Sequence, residues 1–224
     1  MLELRGATDD LLLDEPWRLD VRGAGGPSAD LLWRARLRDD DGRIWRAEAG
    51  SAAGLAAGWV PAKPPPGPLA ALRSLRPVAI DVRAEAPDGR AAARTVTRKL
   101  VGEGVRLRRW REGVAATLHL PAAAPTATVI LDATAGDEDA AAAALLAAPL
   151  LASRGVLVLT VTDGLEEALA RLVGVPAAAD ADPTLLPAGL VPPGVPTREL
   201  GDPDERAAAW DALLAVLGAT PRTT

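Results

Sequence analysis

In the first half of the chain, apolar residues alternate with charged ones. The clearest example is the segment 31–38, where Leu31, Trp33, Ala35 and Leu37 alternate with Leu32 and three arginines. A period of two predicts strands with one buried and one exposed face. The same alternation predicts further strands at 17–22 and 78–84. Strands at 43–49 and 94–100 are predicted because each follows a turn that comes after one of these patterns.

Turn signals separate these strands. Asp39-Asp40-Asp41-Gly42 and Pro87-Asp88-Gly89 each stand between two strand patterns, which is typical of β-hairpins. The proline-rich segment 62–68 predicts a stiff crossing between the sheet halves. Short strands at this spacing favour a β-sandwich of immunoglobulin type over residues 1–104.

The pattern changes in residues 105–224. Apolar runs at 114–120, 126–131 and 156–161 predict strands, and helices are predicted at 140–153, 165–173 and 202–217. Acids at 137–139 suit a helix N-terminus, and Asp163 is predicted to cap the helix that follows it. Residues 174–201 are predicted to be irregular. The chain is therefore expected to be α+β in two parts, a β-sandwich followed by a reduced α/β module.

The amino-acid composition excludes several kinds of chemistry. The chain has 224 residues with no Cys and one His, His119. Disulfides, thiolate nucleophiles and cysteine metal sites are therefore excluded, as is a zinc site built from several histidines. We expect no metal and no cofactor.

Charge is distributed unevenly along the chain. Residues 1–103 hold 16 basic and 15 acidic side chains, whereas residues 114–224 hold 5 basic and 14 acidic ones. The acidic second part repels phosphate, so nucleic acid is not an expected partner. No apolar run is long enough to span a membrane, and the first ten residues lack the pattern of a signal peptide. A cytoplasmic protein without a membrane partner is expected.

Several segments resemble one known family in residue type, order and spacing. They are DEPWRLDVRG, LLWRARLRDDDGRIWRAEA, GPLAALRSLRP and VTRKLVGEGVRLRRWREGVAATLHLP. The chain thereby resembles the acyl-CoA thioesterase/bile acid-CoA:amino acid N-acyltransferase family over residues 10–121. The resemblance continues more weakly through residues 126–161 and into the last predicted helix. It implies an immunoglobulin-like domain followed by an α/β-hydrolase domain, here much shortened between Asp163 and Asp202.

The chemistry that the resemblance implies requires a Ser or Cys on a Gly-x-Ser/Cys-x-Gly turn, followed by an acid and a histidine. None of the four serines, Ser28, Ser51, Ser74 and Ser153, stands in such a turn. His119 precedes every candidate acid of the second part. The resemblance implies a glycine-rich oxyanion loop after the early strand, where this chain has residues 132–136, and the carboxylate of Asp132 would oppose a developing oxyanion there.

Ligands of open α/β sheets bind beyond the carboxyl ends of the strands. Asp132, Thr134, Asp163 and Gly164 are expected at those ends, although both aspartates also suit a helix cap. Two tryptophans, Trp59 and Trp110, are candidates for an apolar wall of the same site.

Two functions follow from the sequence. The first is a catalytically degenerate family member that binds a neutral or apolar small molecule, or that associates with itself or with a partner subunit. The alternative is a repurposed biosynthetic enzyme, such as a cyclase, isomerase or dehydratase, with a cleft between the two parts. Asp132, Asp163 and His119 are its acid–base candidates.

Overall fold

The structure is a computed structural model that describes residues 2–6, 11–23, 30–56, 59–63, 69–134, 138–178, 182–187, 189–197 and 202–222. It contains both strands and helices and is α+β. The chain divides into two compact units. One comprises Met1–Leu100 with Pro193–Arg206, and the other comprises Val101–Pro192 with Ala207–Arg222.

The first unit contains β-strands in two sheets. The strands are β1 (Glu3–Arg5), β2 (Leu11–Leu12), β3 (Asp20–Arg22), β4 (Leu32–Arg38), β5 (Ile44–Ala49), β6 (Val60–Pro61), β7 (Val78–Glu85) and β8 (Ala91–Lys99). Six of them form one sheet in the order β2-β8-β7-β4-β5-β6, and β1 pairs with β3. All neighbours in the large sheet are antiparallel except β2 and β8.

Alternation along the sequence gives this sheet its buried face. Trp33, Ala35 and Leu37 of β4 are nearly inaccessible to solvent, while the arginines between them are exposed. The β4–β5 and β7–β8 hairpins are confirmed. Near residue 17 the prediction is only partly right, because the strand covers Asp20–Arg22 alone, although Trp17 and Leu19 are buried.

A buried carboxylate organises the first hairpin turn. Asp39 Oδ1 accepts hydrogen bonds from the backbone N–H groups of Asp41 (3.1 Å) and Arg43 (2.8 Å). Asp39 Oδ2 accepts from Trp45 Nε1 (3.0 Å) and from the backbone N–H of Ala71 (3.2 Å). One aspartate thus joins the turn, the core tryptophan and a distant loop.

A buried arginine holds the N-terminal segment against β8. Arg98 is fully buried, and its guanidinium donates to the carbonyl oxygens of Leu12 (3.1 Å), Glu15 (3.3 Å) and Pro16 (3.3 Å). The same group lies 4.9 Å from the centre of the Trp17 ring, a cation–π contact. These contacts supply the donors that the buried carbonyl groups need.

The second unit contains a five-stranded sheet and helices. Its elements are β9 (Arg106–Trp110), β10 (Ala115–Leu120), β11 (Ala127–Asp132), α1 (Glu138–Ser153), β12 (Val156–Asp163), α2 (Leu165–Val173), β13 (Thr184–Pro187) and, from Ala207 onward, α3 (Pro203–Val216). The sheet order is β13-β11-β12-β10-β9. β11, β12 and β13 are parallel, whereas β10 is antiparallel to both β12 and β9.

The helices α1 and α2 belong to opposite faces of this sheet. Ala168 and Leu172 of α2 pack in one cluster with Ile130, Leu157 and Leu159, and no residue of α1 belongs to that cluster. The connection β11–α1–β12 and the connection β12–α2–β13 run in opposite directions along the sheet. Right-handed crossovers in opposite directions place their helices on opposite faces. The sheet is consequently covered on both sides.

Two strands depart from the sequence prediction. Residues 174–201 were predicted to be irregular, and this is wrong for Thr184–Pro187, where β13 pairs with β11. β9 was not predicted either, since it carries three arginines in five residues and lies at a sheet edge. Among the residues that the structure describes, no helix has both the length and the apolarity to cross a membrane.

Candidate functional site

The carboxyl ends of β11 and β12 form the point where the sheet connections diverge. β11 leads to α1 and the neighbouring β12 leads to α2, on the other face of the sheet. At such a point the two outgoing loops separate and leave a crevice, which is where open α/β sheets bind ligands. The predicted site residues Asp132, Thr134, Asp163 and Gly164 all lie here.

Asp132 ends β11 and organises the loop after it. Its Oδ1 accepts hydrogen bonds from the backbone N–H of Thr134 (3.0 Å) and from Thr134 Oγ1 (2.7 Å). This is an Asx-type turn, in which an aspartate replaces a backbone acceptor. Asp132 therefore caps a loop, while α1 begins later, at Glu138. The remainder of the segment 132–136, which the resemblance matches to an oxyanion loop, lies outside the described residues.

Asp163 ends β12, and the prediction that it caps α2 is wrong. The N-cap is Gly164, in the left-handed conformation (φ 71°, ψ 51°), and no side chain caps this helix. A Cβ on Gly164 would lie 2.9 Å from the carbonyl oxygen of Gly113, so both the backbone conformation and the space favour glycine. The exposed Asp163 carboxylate has no hydrogen bond or ion pair with any described residue.

Strand register brings the two aspartates to one face. Asp132 pairs with Val161, and Asp163 follows Val161 by two residues, so both side chains project from the face that packs against α2. Ideal strand spacing places their Cα atoms roughly 8 Å apart. Of the sequence-predicted candidates, this pair and Thr134 do share one edge of the sheet.

His119 lies on the other face. It pairs with Val158 on β12, three residues before the partner of Asp132, which reverses the side-chain direction. Its side chain is buried, and neither ring nitrogen has a hydrogen-bond partner among the described residues. Burial, together with the positive charge of Arg109, lowers the pKa of His119 to about 4. The imidazole is neutral at pH 7 and is separated by the sheet from both aspartates.

The described serine hydroxyls are engaged in local structure. Ser153 Oγ donates to the carbonyl oxygen of Pro149 (2.6 Å) and accepts from the backbone N–H of Gly102 (2.6 Å). Ser74 Oγ donates to Asp40 Oδ1 (2.9 Å), and Ser51 Oγ accepts from the backbone N–H of Gly54 (3.2 Å). Ser28 lies outside the described residues. No described serine contacts the imidazole that a triad would require.

The two tryptophan candidates belong to cores. Trp110 is 7% exposed and packs in the cluster beneath α2, together with Leu118 and Leu159. Trp59 belongs to the first unit, where it is 4% exposed with no hydrogen-bond partner for Nε1 in the described part of the chain. Both side chains are almost fully buried, so neither presents an open wall to a ligand.

A feature that the sequence analysis did not identify lies in the first unit. The exposed face of the six-stranded sheet holds a pocket of about 700 Å³, with arginines of β4, β5 and β7 in its lining. The alternating charges had indicated only a solvated face. The available signal was the accumulation of arginines on neighbouring strands, which becomes a cluster only once their register is known.

Comparison with known proteins adds no assignment. No protein-family model matches the sequence, and no curated protein matches it significantly. In the described ranges, no group of three or more His, Cys, Asp or Glu side chains is placed to hold a metal ion. The site must therefore be interpreted from its own geometry.

Proposed function

We propose that this protein is a catalytically degenerate relative of the acyl-CoA thioesterase/bile acid-CoA:amino acid N-acyltransferase family that acts as an interaction protein. One observation is the main support for the proposed loss of catalytic activity. His119 lies on the opposite face of the sheet from Asp132 and Asp163, and its ring nitrogens contact no described hydroxyl. A nucleophile and its base need to be within hydrogen-bond reach, about 2.6–3.2 Å.

The fold supports the relationship. The first unit is a largely antiparallel sheet with a second, small sheet, as a shortened immunoglobulin-like domain would have. The second unit has a parallel β11–β12–β13 core with helices on both faces, as a reduced hydrolase-like module would have. The order of the two types along the chain agrees with the resemblance.

The electrostatics of the second unit also oppose acyl transfer. The tetrahedral intermediate of that reaction carries an oxyanion, which hydrolases stabilise with backbone N–H groups. Here Asp132 places a carboxylate at the end of β11 and takes the N–H of Thr134 for itself. The exposed carboxylate of Asp163 adds a second negative charge at the same edge.

The sheet edge at β13 supports the interaction role. In the described part of the chain β13 pairs with β11 on one side only. Leu185 in its centre is 62% exposed. Unpaired edge strands with exposed apolar residues are templates for pairing with another strand, and natural proteins usually cover or charge them. β13 itself carries no charge.

We assign a second copy of the chain as the occupant of this edge. Two β13 strands related by a twofold axis pair antiparallel and place Leu185 of one copy beside Leu185 of the other. Because β13 lacks charged residues, this pairing brings no like charges together within the strand. The strand has only four residues, so we expect a weak dimer that forms as the protein concentration rises.

Sedimentation velocity over a wide concentration range tests this role. The wild-type protein is expected to shift from monomer to dimer, and Leu185→Lys is expected to stay monomeric because a desolvated ammonium opposes the contact. Val173→Lys is the matched control, since Val173 is 79% exposed on α2 and lies outside the edge strand. A wild-type protein that stays monomeric throughout, or a Leu185→Lys variant that dimerises normally, would overturn the assignment.

A further inference from the structure

The pocket on the exposed face of the six-stranded sheet carries more positive than negative charge. Its lining includes four arginines, on β4, β5 and β7, and two carboxylates, those of Glu48 and Asp81. Its volume of about 700 Å³ is within the range of small-molecule sites, roughly 300–1,000 Å³. All of its lining residues belong to the first unit.

Two of the four arginines are already neutralised by the protein. Arg34 Nε lies 3.0 Å from Glu48 Oε2, and its Nη1 lies 3.2 Å from Glu85 Oε2. Arg83 Nη2 lies 3.3 Å from the same Glu85 oxygen. These exposed pairs fix two guanidinium groups in place at one end of the pocket.

The other two arginines, Arg36 and Arg46, have no such partners. They face each other directly across β4 and β5, where Cβ atoms are about 4.5–5.5 Å apart. Neither forms a hydrogen bond or an ion pair with any residue that the structure describes. Asp81 is opposite Arg36 on β7, but its carboxylate accepts a hydrogen bond from Thr95 Oγ1 (2.7 Å) on the far side. Like charges directly opposite in a sheet are destabilising.

From this arrangement we propose that the pocket binds the phosphate group of a small phosphate monoester. Such a group carries a charge of about −1.5 to −2 at pH 7 and three acceptor oxygens. Two adjacent guanidinium forks match it in charge and in hydrogen-bond geometry. Binding offsets the repulsion between Arg36 and Arg46, neither of which has an ion pair with a described residue.

The rest of the pocket selects a small molecule with an apolar part. Val60, on the neighbouring β6, is 63% exposed and pairs with Arg46, and the small side chain of Ala93 lies on the β8 side. The pocket exceeds the space that a phosphate alone fills. Glu48 and Asp81 repel further negative charge, which disfavours a continuing phosphodiester chain.

Isothermal titration calorimetry with phenyl phosphate tests the site in the full chain. Phenol and a short single-stranded oligonucleotide serve as comparison ligands, and Arg36→Gln and Arg46→Gln are the test variants. Arg38→Gln is the matched control, because Arg38 is exposed on the same strand face but does not line the pocket. Removing either pocket arginine should not unfold the protein, since neither has a partner to lose.

Saturable binding of phenyl phosphate is expected, with at least a tenfold loss in each pocket variant, no such loss in Arg38→Gln and no binding of phenol. A tenfold loss of affinity is what the removal of one charge-assisted hydrogen bond is expected to cause. Three results would overturn the proposal: no binding of phenyl phosphate at millimolar concentration, an equal loss in Arg38→Gln, or arginine-dependent binding of the oligonucleotide alone. Melting temperatures of the variants equal to or above that of the wild type would verify that they are folded.

Discussion

At the scale of single residues, His119 is the most informative side chain. It is enclosed between Leu107 on β9 and Val158 on β12, and its nitrogens lack partners in the described structure. Its pKa falls to about 4 because burial disfavours the charged form, with a smaller contribution from Arg109. In the unfolded chain the pKa of histidine is near 6.5. The unfolded state therefore binds a proton in a range of pH where the folded state does not.

This difference predicts how stability depends on pH. The free energy of unfolding should fall as the pH is lowered from about 6.5 to about 4, by about 3 kcal/mol from this residue alone. Above pH 6.5 both states are neutral, so the full stability is present there. Urea unfolding of the wild type and of His119→Leu at pH 7 and pH 4.5 measures the effect.

Comparing the wild type with His119→Leu separates the contribution of the imidazole to the pH dependence of stability from that of the carboxylates, which also titrate in acid. The His119→Leu variant should lose distinctly less stability between the two pH values than the wild type does. Parallel losses in the two proteins would show that the imidazole is hydrated or paired in the folded state.

At the scale of elements, the start of α2 depends on one glycine. Gly164 has φ 71°, and an added Cβ would lie 2.9 Å from the carbonyl oxygen of Gly113 and 3.2 Å from Cα of Val114. Gly113 has nearly the same backbone conformation, φ 69°, but a Cβ there would meet nothing within 4 Å. The two positions therefore separate steric crowding from backbone strain.

We expect Gly164→Ala to destabilise the protein by about 2–4 kcal/mol, from strain and crowding together. Gly113→Ala should cost only about 1 kcal/mol, the strain of a left-handed non-glycine residue. Thermal or urea unfolding of both variants provides the measurement. Equal losses would mean that the chain relaxes around the new methyl group and that the close contact does not constrain α2.

Much of the element pattern could be predicted from the sequence, and the exceptions have physical reasons. The bounds of α2 agree with the prediction because its apolar and charged residues repeat with the helical period. β13 was missed because its four residues, of which the last is a proline, are too few to show periodicity. Asp163 was a plausible cap by residue type, but the left-handed Gly164 takes that position.

The candidate site was predictable only in part. Strand ends could be located from the apolar runs, which placed Asp132 and Asp163 at one edge. The face on which each side chain lies depends on register between strands, and local sequence does not contain it. The linear pattern therefore does not show that His119 lies on the opposite face from both aspartates. Nor does it show that Arg36 and Arg46 face each other across two strands.

At the scale of the whole molecule, one segment shows that the two compact units are not continuous stretches of the chain. Residues 193–206 were assigned to the second part by position, yet they group with the first unit. The backbone N–H of Ala70 donates to the carbonyl oxygen of Pro196 (3.0 Å), and Leu69 pairs with Thr197 in a β-bridge. Contacts between residues so far apart in sequence depend on the folded chain.

The two-unit organisation also frames the proposed function. The second unit has helices on both faces of one sheet, and His119 lies on the opposite face of that sheet from Asp132 and Asp163. No movement of a single side chain brings groups together through a packed sheet. Under the proposed function, the loss of acyl transfer is a property of the fold as well as of the missing cysteine.

The release of free thiol from acyl-CoA tests this central claim most directly. Purified protein, incubated with long-chain and with short-chain acyl-CoA at pH 7, is expected to release no thiol above the rate of the buffer. His119→Leu is expected to behave identically, because the imidazole takes no part in chemistry. Saturable thiol release by the wild type that His119→Leu abolishes would contradict the account.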